Sequence, residues 1–170
     1  WHIFHPWVNL TQDEYILHIN DLIRTVEKIE GLYLAVKIRL KNFAGMSLEG
    51  IKRLLISSQC YGVYIEGSFE EYLIASDLLV SFSSTTIEEA LQNKIPVLQY
   101  DFDGKYCHIP ATQFNQNQTP HLDSCYYADC EENLAMGLTW LMENHLDDDK
   151  DADVDWARHF FDEKDIVDDF

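Results

Sequence analysis

A chain of 170 residues with 46% apolar and 13% aromatic side chains can bury a core of its own, which excludes a disordered or low-complexity segment. Thirty acidic residues against 12 basic ones leave a formal net charge of −18, a field that opposes approach to nucleic acid. The most apolar window, Tyr72 to Phe82, is interrupted by Asp77 and falls short of a bilayer's thickness, so no membrane span is expected.

In chain order, the pattern is one of strands and capped helices. His2 and His5 flank a short apolar strand start. Thr11 and Glu14 form a capping box, after which Tyr15, Ile19, Leu22, Val26 and Ile29 recur at helical spacing until Gly31. Leu32 to Ile38 is a short apolar run suited to a buried strand. Ser47 caps a second helix bearing Leu48, Ile51, Leu54 and Leu55. Gly62 to Ile65 is a strand, and Ser68 with Glu71 boxes a helix ending near Ser76. Asp77 to Phe82 is the next strand. Thr85 with Glu88 is a third box, for a helix running to Gln92 with Asn93 as its left-handed stop. Ile95 to Gln99 is a strand, and Asp129 with Glu132 caps a last long helix carrying Leu134, Leu138, Leu141 and Met142. Apolar strands that alternate with helices imply a Rossmann-like, doubly wound parallel sheet with helices on both faces.

Two stretches stand apart. Asp101 to Cys125 is long and polar, holds two of the four prolines, and follows the carboxyl end of a strand, the edge where open α/β sheets bind ligands. Residues 143 to 170 hold twelve acids against three bases, half of the chain's net charge. Acids alternate from Asp147 to Asp155 as in a calcium loop, but Ala152 replaces the turn glycine and Arg158 the closing glutamate. The expected division is a domain over 1–145, then an acidic linker and terminal helix over 146–170. In that last segment Trp156, Phe160, Phe161 and Ile166 share helical spacing for docking on a surface.

Cys60, Cys107, Cys125 and Cys130 form no CxxC pair and no zinc spacing, so reduced thiols, a cytoplasmic chain and no metal are expected. The tripeptides at Asn9 and Asn117 match the glycosylation pattern by chance in a chain without secretory signs. The start on Trp1-His2-Ile3-Phe4 has neither an initiator methionine nor a basic segment before an apolar run. No signal peptide is expected, and the chain reads as a piece of something longer.

The most informative segment joins the strand ending at Phe82 to the helix that follows, through Ser83-Ser84-Thr85-Thr86-Ile87-Glu88-Glu89-Ala90. Short hydroxyl side chains before free helix N–H groups can seat a phosphate, with Glu89 one turn in to accept ribose hydroxyls. Equally, Thr85 caps, Glu88 closes the box and Glu89 is a solvated charge. Lys37, Arg39 and Lys41 alternate at the end of the first long strand, so their side chains lean to one face. They suit an anion site or the guarding of a sheet edge. Among the histidines, His18, His145 and His159 read as surface or part-buried residues, and His108 and His121 lie in the long loop.

This segment resembles the donor-nucleotide half of GT-B glycosyltransferases and the related UDP-N-acetylglucosamine 2-epimerases. Ser76-Asp77, the apolar strand, the hydroxyl turn, Glu88-Glu89-Ala90 and Pro96-Val97 follow their pattern. The epimerase turn S-G-G-x-x-E-E-A lines up with 83–90 without a gap. The resemblance implies half of a GT-B fold. It places Ser83, Ser84, Thr85 and Thr86 at the diphosphate, together with Lys37 or Arg39, and Glu89 at the ribose. It puts the backbone of Ile65 and Glu66 at the nucleobase, with Asp101, Asp103 and His108 as sugar contacts. It implies a nucleotide diphosphate sugar as substrate with no further cofactor. The acceptor and the catalytic base would lie on an amino-terminal domain of a longer chain, and no catalytic residue is assigned here. Ser81 stands where retaining members carry the first of two glutamates, so an inverting enzyme of capsule or surface-polysaccharide assembly fits better. The alternatives are a sugar-nucleotide 2-epimerase, a CDP-alcohol phosphotransferase and a non-catalytic interaction domain on the same fold.

Overall fold

In a computed structural model, seven strands pair in the order β3-β2-β1-β4-β5-β7-β6, and every pairing is parallel. The structure describes residues 2–6, 11–38, 45–81, 86–101, 109–117, 120–145 and 154–157. The strands are β1 (His2–Pro6), β2 (Tyr33–Lys37), β3 (Tyr61–Tyr64), β4 (Leu78–Ser81), β5 (Val97–Tyr100), β6 (Thr112–Gln113) and β7 (Cys125–Ala128). The helices are α1 (Gln12–Glu27), α2 (Leu48–Leu54), α3 (Phe69–Ile74), α4 (Thr86–Gln92) and α5 (Glu131–Asn144). The chain builds outward from β1 to one edge, then returns to begin the other half at β4. The order therefore reverses between β1 and β4, as in doubly wound nucleotide-binding sheets.

Most of the buried apolar strand side chains divide between two cores. Leu34, Val36, Leu78, Val80, Leu98, Tyr100 and Tyr126 pack with α1, α2 and α5. Leu79, Val97 and Cys125 pack with α3 and α4. A parallel strand covered on both faces is mostly apolar, and β4, β5 and β7 are buried throughout, with Ser81 and Gln99 as buried polar positions in β4 and β5. α1 brings Tyr15, Ile19, Leu22, Ile23 and Val26 to the larger core, each such side chain contributing roughly 1.5–3 kcal/mol by leaving water.

The capping boxes at Thr11–Glu14 and Ser68–Glu71 are both formed, and Ser47 Oγ accepts from the Gly50 N–H. The box at Thr85–Glu88 lies outside the described residues. Three expectations need correction. The left-handed residue after α4 is Lys94 (φ +53°), not Asn93. The Lys94 N–H reaches the Leu91 carbonyl and the Ile95 N–H the Ala90 carbonyl, a Schellman closure that puts residue 94 in the left-handed position. The N-cap of α5 is Cys130, which makes no side-chain cap. Asp129 instead accepts from Asn133 Nδ2 (2.7 Å) and Gln113 Nε2 (3.1 Å). His18 and His145 are buried rather than superficial or part-buried, the His18 ring 6.0 Å from that of Tyr100.

The stretch from Asp101 to Cys125 is also more than a loop. It adds β6 at the edge, and β7 follows at once between β5 and β6. Phe114 stacks on Tyr126 (5.2 Å) and packs beside Trp140 (5.8 Å). A Cβ on Gly137 would sit 2.6 Å from the Phe114 ring, which explains a glycine in the middle of α5 despite its cost to the helix. On the opposite face Ile109, Ala111 and Trp156 cover the smaller core. The part of the acidic tail that is described lies on the body: Val154 is buried, Ser124 Oγ donates to the Asp155 carbonyl (3.1 Å), and Trp156 meets His145 edge to face (5.9 Å). Trp156 thus docks on this domain.

Candidate functional site

Because every strand is parallel, the residues that end them share one edge. β1 ends at Pro6, in register with Lys37 of β2, which is in register with Tyr64 of β3. β4 ends at Ser81 and β5 at Tyr100, followed by Asp101. Lys37, Ile65, Glu66, Thr86 and Asp101 therefore come to the carboxyl edge on both sides of the β1–β4 reversal. Glu89 lies one turn into α4, exposed. Arg39, Ser83, Ser84, Thr85, Asp103 and His108 lie outside the described residues.

Lys37 is built into this edge. Its Nζ donates to the Glu66 carbonyl (2.7 Å) and stands 5.4 Å from the centre of the Tyr72 ring. The ammonium thus ties the β2 end to the turn after β3, and a cation–π contact holds it there. The Glu66 carbonyl, expected at a nucleobase, has this amine as a partner. Ile65 exposes 37% of its surface beside it. Tyr64 packs on Tyr72 (5.1 Å between ring centres), and its hydroxyl lies 3.0 Å from that of Tyr33. The Tyr33 phenol is pushed up to about 12, first by lost hydration and then by its bond to Tyr64. Tyr33 and Tyr72 went unread as partners of this edge; the place of Tyr33 on the same strand face as Lys37 was the available signal.

Across the reversal, Asp101 is buried with 4% of its surface exposed, and its backbone N–H donates to the Ala128 carbonyl (3.2 Å). The Tyr127 hydroxyl donates to the Asp101 carbonyl (3.3 Å), which anchors the start of the segment after β5. Gln99 Nε2 donates to the Ile109 carbonyl (3.1 Å), anchoring the point where the described chain resumes. Thr86, the first residue of α4, is half-buried. Sequence reasoning also missed Gln99 and Tyr127. A glutamine within an apolar strand was their one visible mark.

Other chemistry is sparse. Among the described residues no cluster of three or more His, Cys, Asp or Glu could hold a metal ion. Cys60, Cys125 and Cys130 are free thiols, and burial pushes the Cys130 thiol up, away from a reactive thiolate. His121 Nε2 lies 3.2 Å from Thr112 Oγ1, and His145 Nε2 lies 3.2 Å from the Asp123 carbonyl. Neither is at the carboxyl edge. A depression of about 580 Å³ lined by Val26, Leu32, Ser57 and Cys60 opens at the other edge, where β2 and β3 begin. Among the described residues no helix is long and apolar enough to cross a membrane.

No family model matches this chain, and no curated protein sequence matches it. Solved structures do. The UDP-GlcNAc 2-epimerase from Neisseria meningitidis, bound to UDP-GlcNAc, superposes with a TM-score of 0.53 at 16% identity, over 85% of this chain and 36% of that one. A putative UDP-N-acetylglucosamine 2-epimerase from Listeria monocytogenes gives 0.56 at 17% identity, over 88% of this chain and 38% of that one. This chain thus spans well under half the length of either. At such identities the likeness shows the fold: a Rossmann-like α/β domain of the GT-B-like kind.

Proposed function

We propose that this chain binds a nucleotide diphosphate sugar along the carboxyl edge of its sheet. The observation that carries the reading is the reversal of strand order between β1 and β4, with Lys37 on one side and Thr86 and Glu89 of α4 on the other. Lys37, with Arg39, faces the diphosphate. Ser83, Ser84, Thr85 and Thr86 supply short donors to it, and Glu89 accepts ribose hydroxyls. The nucleobase lies by Ile65 and Glu66, against the Tyr64–Tyr72 pair, and Asp101, Asp103 and His108 lie toward the sugar.

In the reading we favour, the domain is the donor half of a cytoplasmic glycosyltransferase of polysaccharide or glycoconjugate assembly. The sugar passes from the leaving diphosphate to an acceptor hydroxyl, and the cationic edge stabilises the charge that builds on the diphosphate. The nucleotide sugar is the substrate, with no separate cofactor. The acceptor and the base belong to an amino-terminal domain, so the 170 residues alone bind without turnover. A second reading, a sugar-nucleotide 2-epimerase, is favoured by the gapless match of 83–90 to the epimerase turn and by the two similar structures. Products formed from a labelled nucleotide sugar by the chain joined to such a domain separate the two.

The binding claim is tested by thermal shift with UDP, GDP, CDP and ADP and their sugars, on this chain and on Glu89→Ala. Ligand at a hundredfold its Kd adds about 2.7 kcal/mol, a rise of a few degrees. The expected result is a shift for one base that is lost in Glu89→Ala. No shift with any member of the panel overturns the reading.

A further inference from the structure

Within the α3/α4 side of the sheet, two polar atoms are buried with no hydrogen-bond partner among the described residues: Ser81 Oγ and Gln99 Oε1. Ser81 is 0% and Gln99 1% exposed. They are direct neighbours, since Ser81 of β4 is in register with Gln99 of β5. Leu79 and Val97, two residues earlier on these strands, pack in the smaller core, so alternation puts Ser81 and Gln99 on that same face. Ser81 ends β4, and Gln99 stands one residue before the end of β5, so the pair lies at the carboxyl edge beside the reversal. Tyr127, the next residue across in the same layer, has its hydroxyl engaged by the Asp101 carbonyl.

The state of Gln99 defines what the pair can take. Its nitrogen is turned to the Ile109 carbonyl (3.1 Å) and to Cys125 Sγ (3.2 Å). What remains is Oε1, an acceptor only, beside a hydroxyl that can donate or accept. A phosphate oxygen offers Oε1 no proton. A neutral hydroxyl satisfies both atoms at once, donating to Gln99 Oε1 and accepting from Ser81 Oγ. We propose that Ser81 and Gln99 form a buried subsite for a hydroxyl of the sugar moiety, separate from the groups that hold the diphosphate. This rests on the nucleotide-sugar reading above and deepens it.

The test compares two ligands rather than two activities. The nucleoside diphosphate and the matching nucleotide sugar that shift the wild-type chain are titrated calorimetrically against wild type, Ser81→Ala, Ser81→Thr and Gln99→Leu. For Ser81→Ala the affinity ratio of sugar nucleotide to diphosphate falls about tenfold, the size of one buried hydrogen bond, while the ligand-free melting temperature stays level or rises because an unsatisfied hydroxyl has gone. Gln99→Leu lowers the same ratio, and Ser81→Thr, which keeps the hydroxyl, restores it. An unchanged ratio in Ser81→Ala and Gln99→Leu overturns the subsite and leaves a trapped water as the partner of these atoms, with nucleotide binding intact. If the wild type binds no diphosphate and no nucleotide sugar, the broader reading fails and the subsite with it.

Discussion

The two crossovers that flank β5 solve the same problem in different ways. Between β4 and β5 the smaller core is covered by a capped helix, α4, whose Ile87, Ala90 and Leu91 are buried. Between β5 and β7 the described chain on that face is irregular, and Ile109, Ala111 and Trp156 do the covering. A sheet face must be kept dry, but nothing requires a helix to do it. An irregular segment next to the carboxyl edge can thus be a structural cover, and part of an acidic tail can belong to a core.

The strongest way to break that comparison is Phe114→Ala. If the segment after β5 is core, losing the ring that stacks on Tyr126 and fills the space above Gly137 costs about 3–5 kcal/mol, equal to or above Leu79→Ala on β4. A value near zero in urea unfolding would return the segment to the status of a loop. Next in size is Trp156→Ala, expected to cost roughly 1–2 kcal/mol for a half-buried ring, and truncation after residue 145 should cost at least as much. Equal melting temperatures for the truncated and full chains would detach the tail from the domain.

Smaller effects test the helical half. Ser68→Ala removes the side-chain cap on α3 and leaves the bond from the residue 68 backbone N–H to Glu71, an expected loss of about 1 kcal/mol by denaturant midpoint. The smallest concerns Tyr33. Its phenol is raised from 10.0 to about 12, so the folded state holds the proton more tightly than the unfolded chain. That contribution is complete below pH 10 and is lost as pH rises through about 12. The melting temperature of wild type should fall more steeply across that window than that of Tyr33→Phe.

The sequence was most legible where local rules agree with global packing. Thr11, Ser47 and Ser68 announce helix starts because the cap is a bond between residues three apart. β2, β4 and β5 were visible as apolar runs because both their faces are covered, whereas the half-buried edge strand β3 was visible as a short run between turn residues. β7 was not, since Cys125-Tyr126-Tyr127-Ala128 has no aliphatic β-branched residue and its burial comes from strands and helices distant in sequence. Cys130 was missed as a cap because Asp129 is taken by Gln113 across the sheet edge, a contact no spacing rule encodes. At the candidate site, Lys37 and the run after β4 were readable as chemistry. Ser81 and Gln99 become a pair only once strand register is known, since 18 residues of chain separate them.

The proposed function requires that ligand bind at the carboxyl edge across the β1–β4 reversal. Backbone amide shifts recorded while titrating the nucleotide that stabilises the chain test it directly. The largest changes should fall at Lys37, Tyr64 to Glu66, Thr86 to Glu89 and Asp101. Changes centred instead on Val26, Leu32 and Ser57 to Cys60, around the depression at the opposite edge, would contradict it.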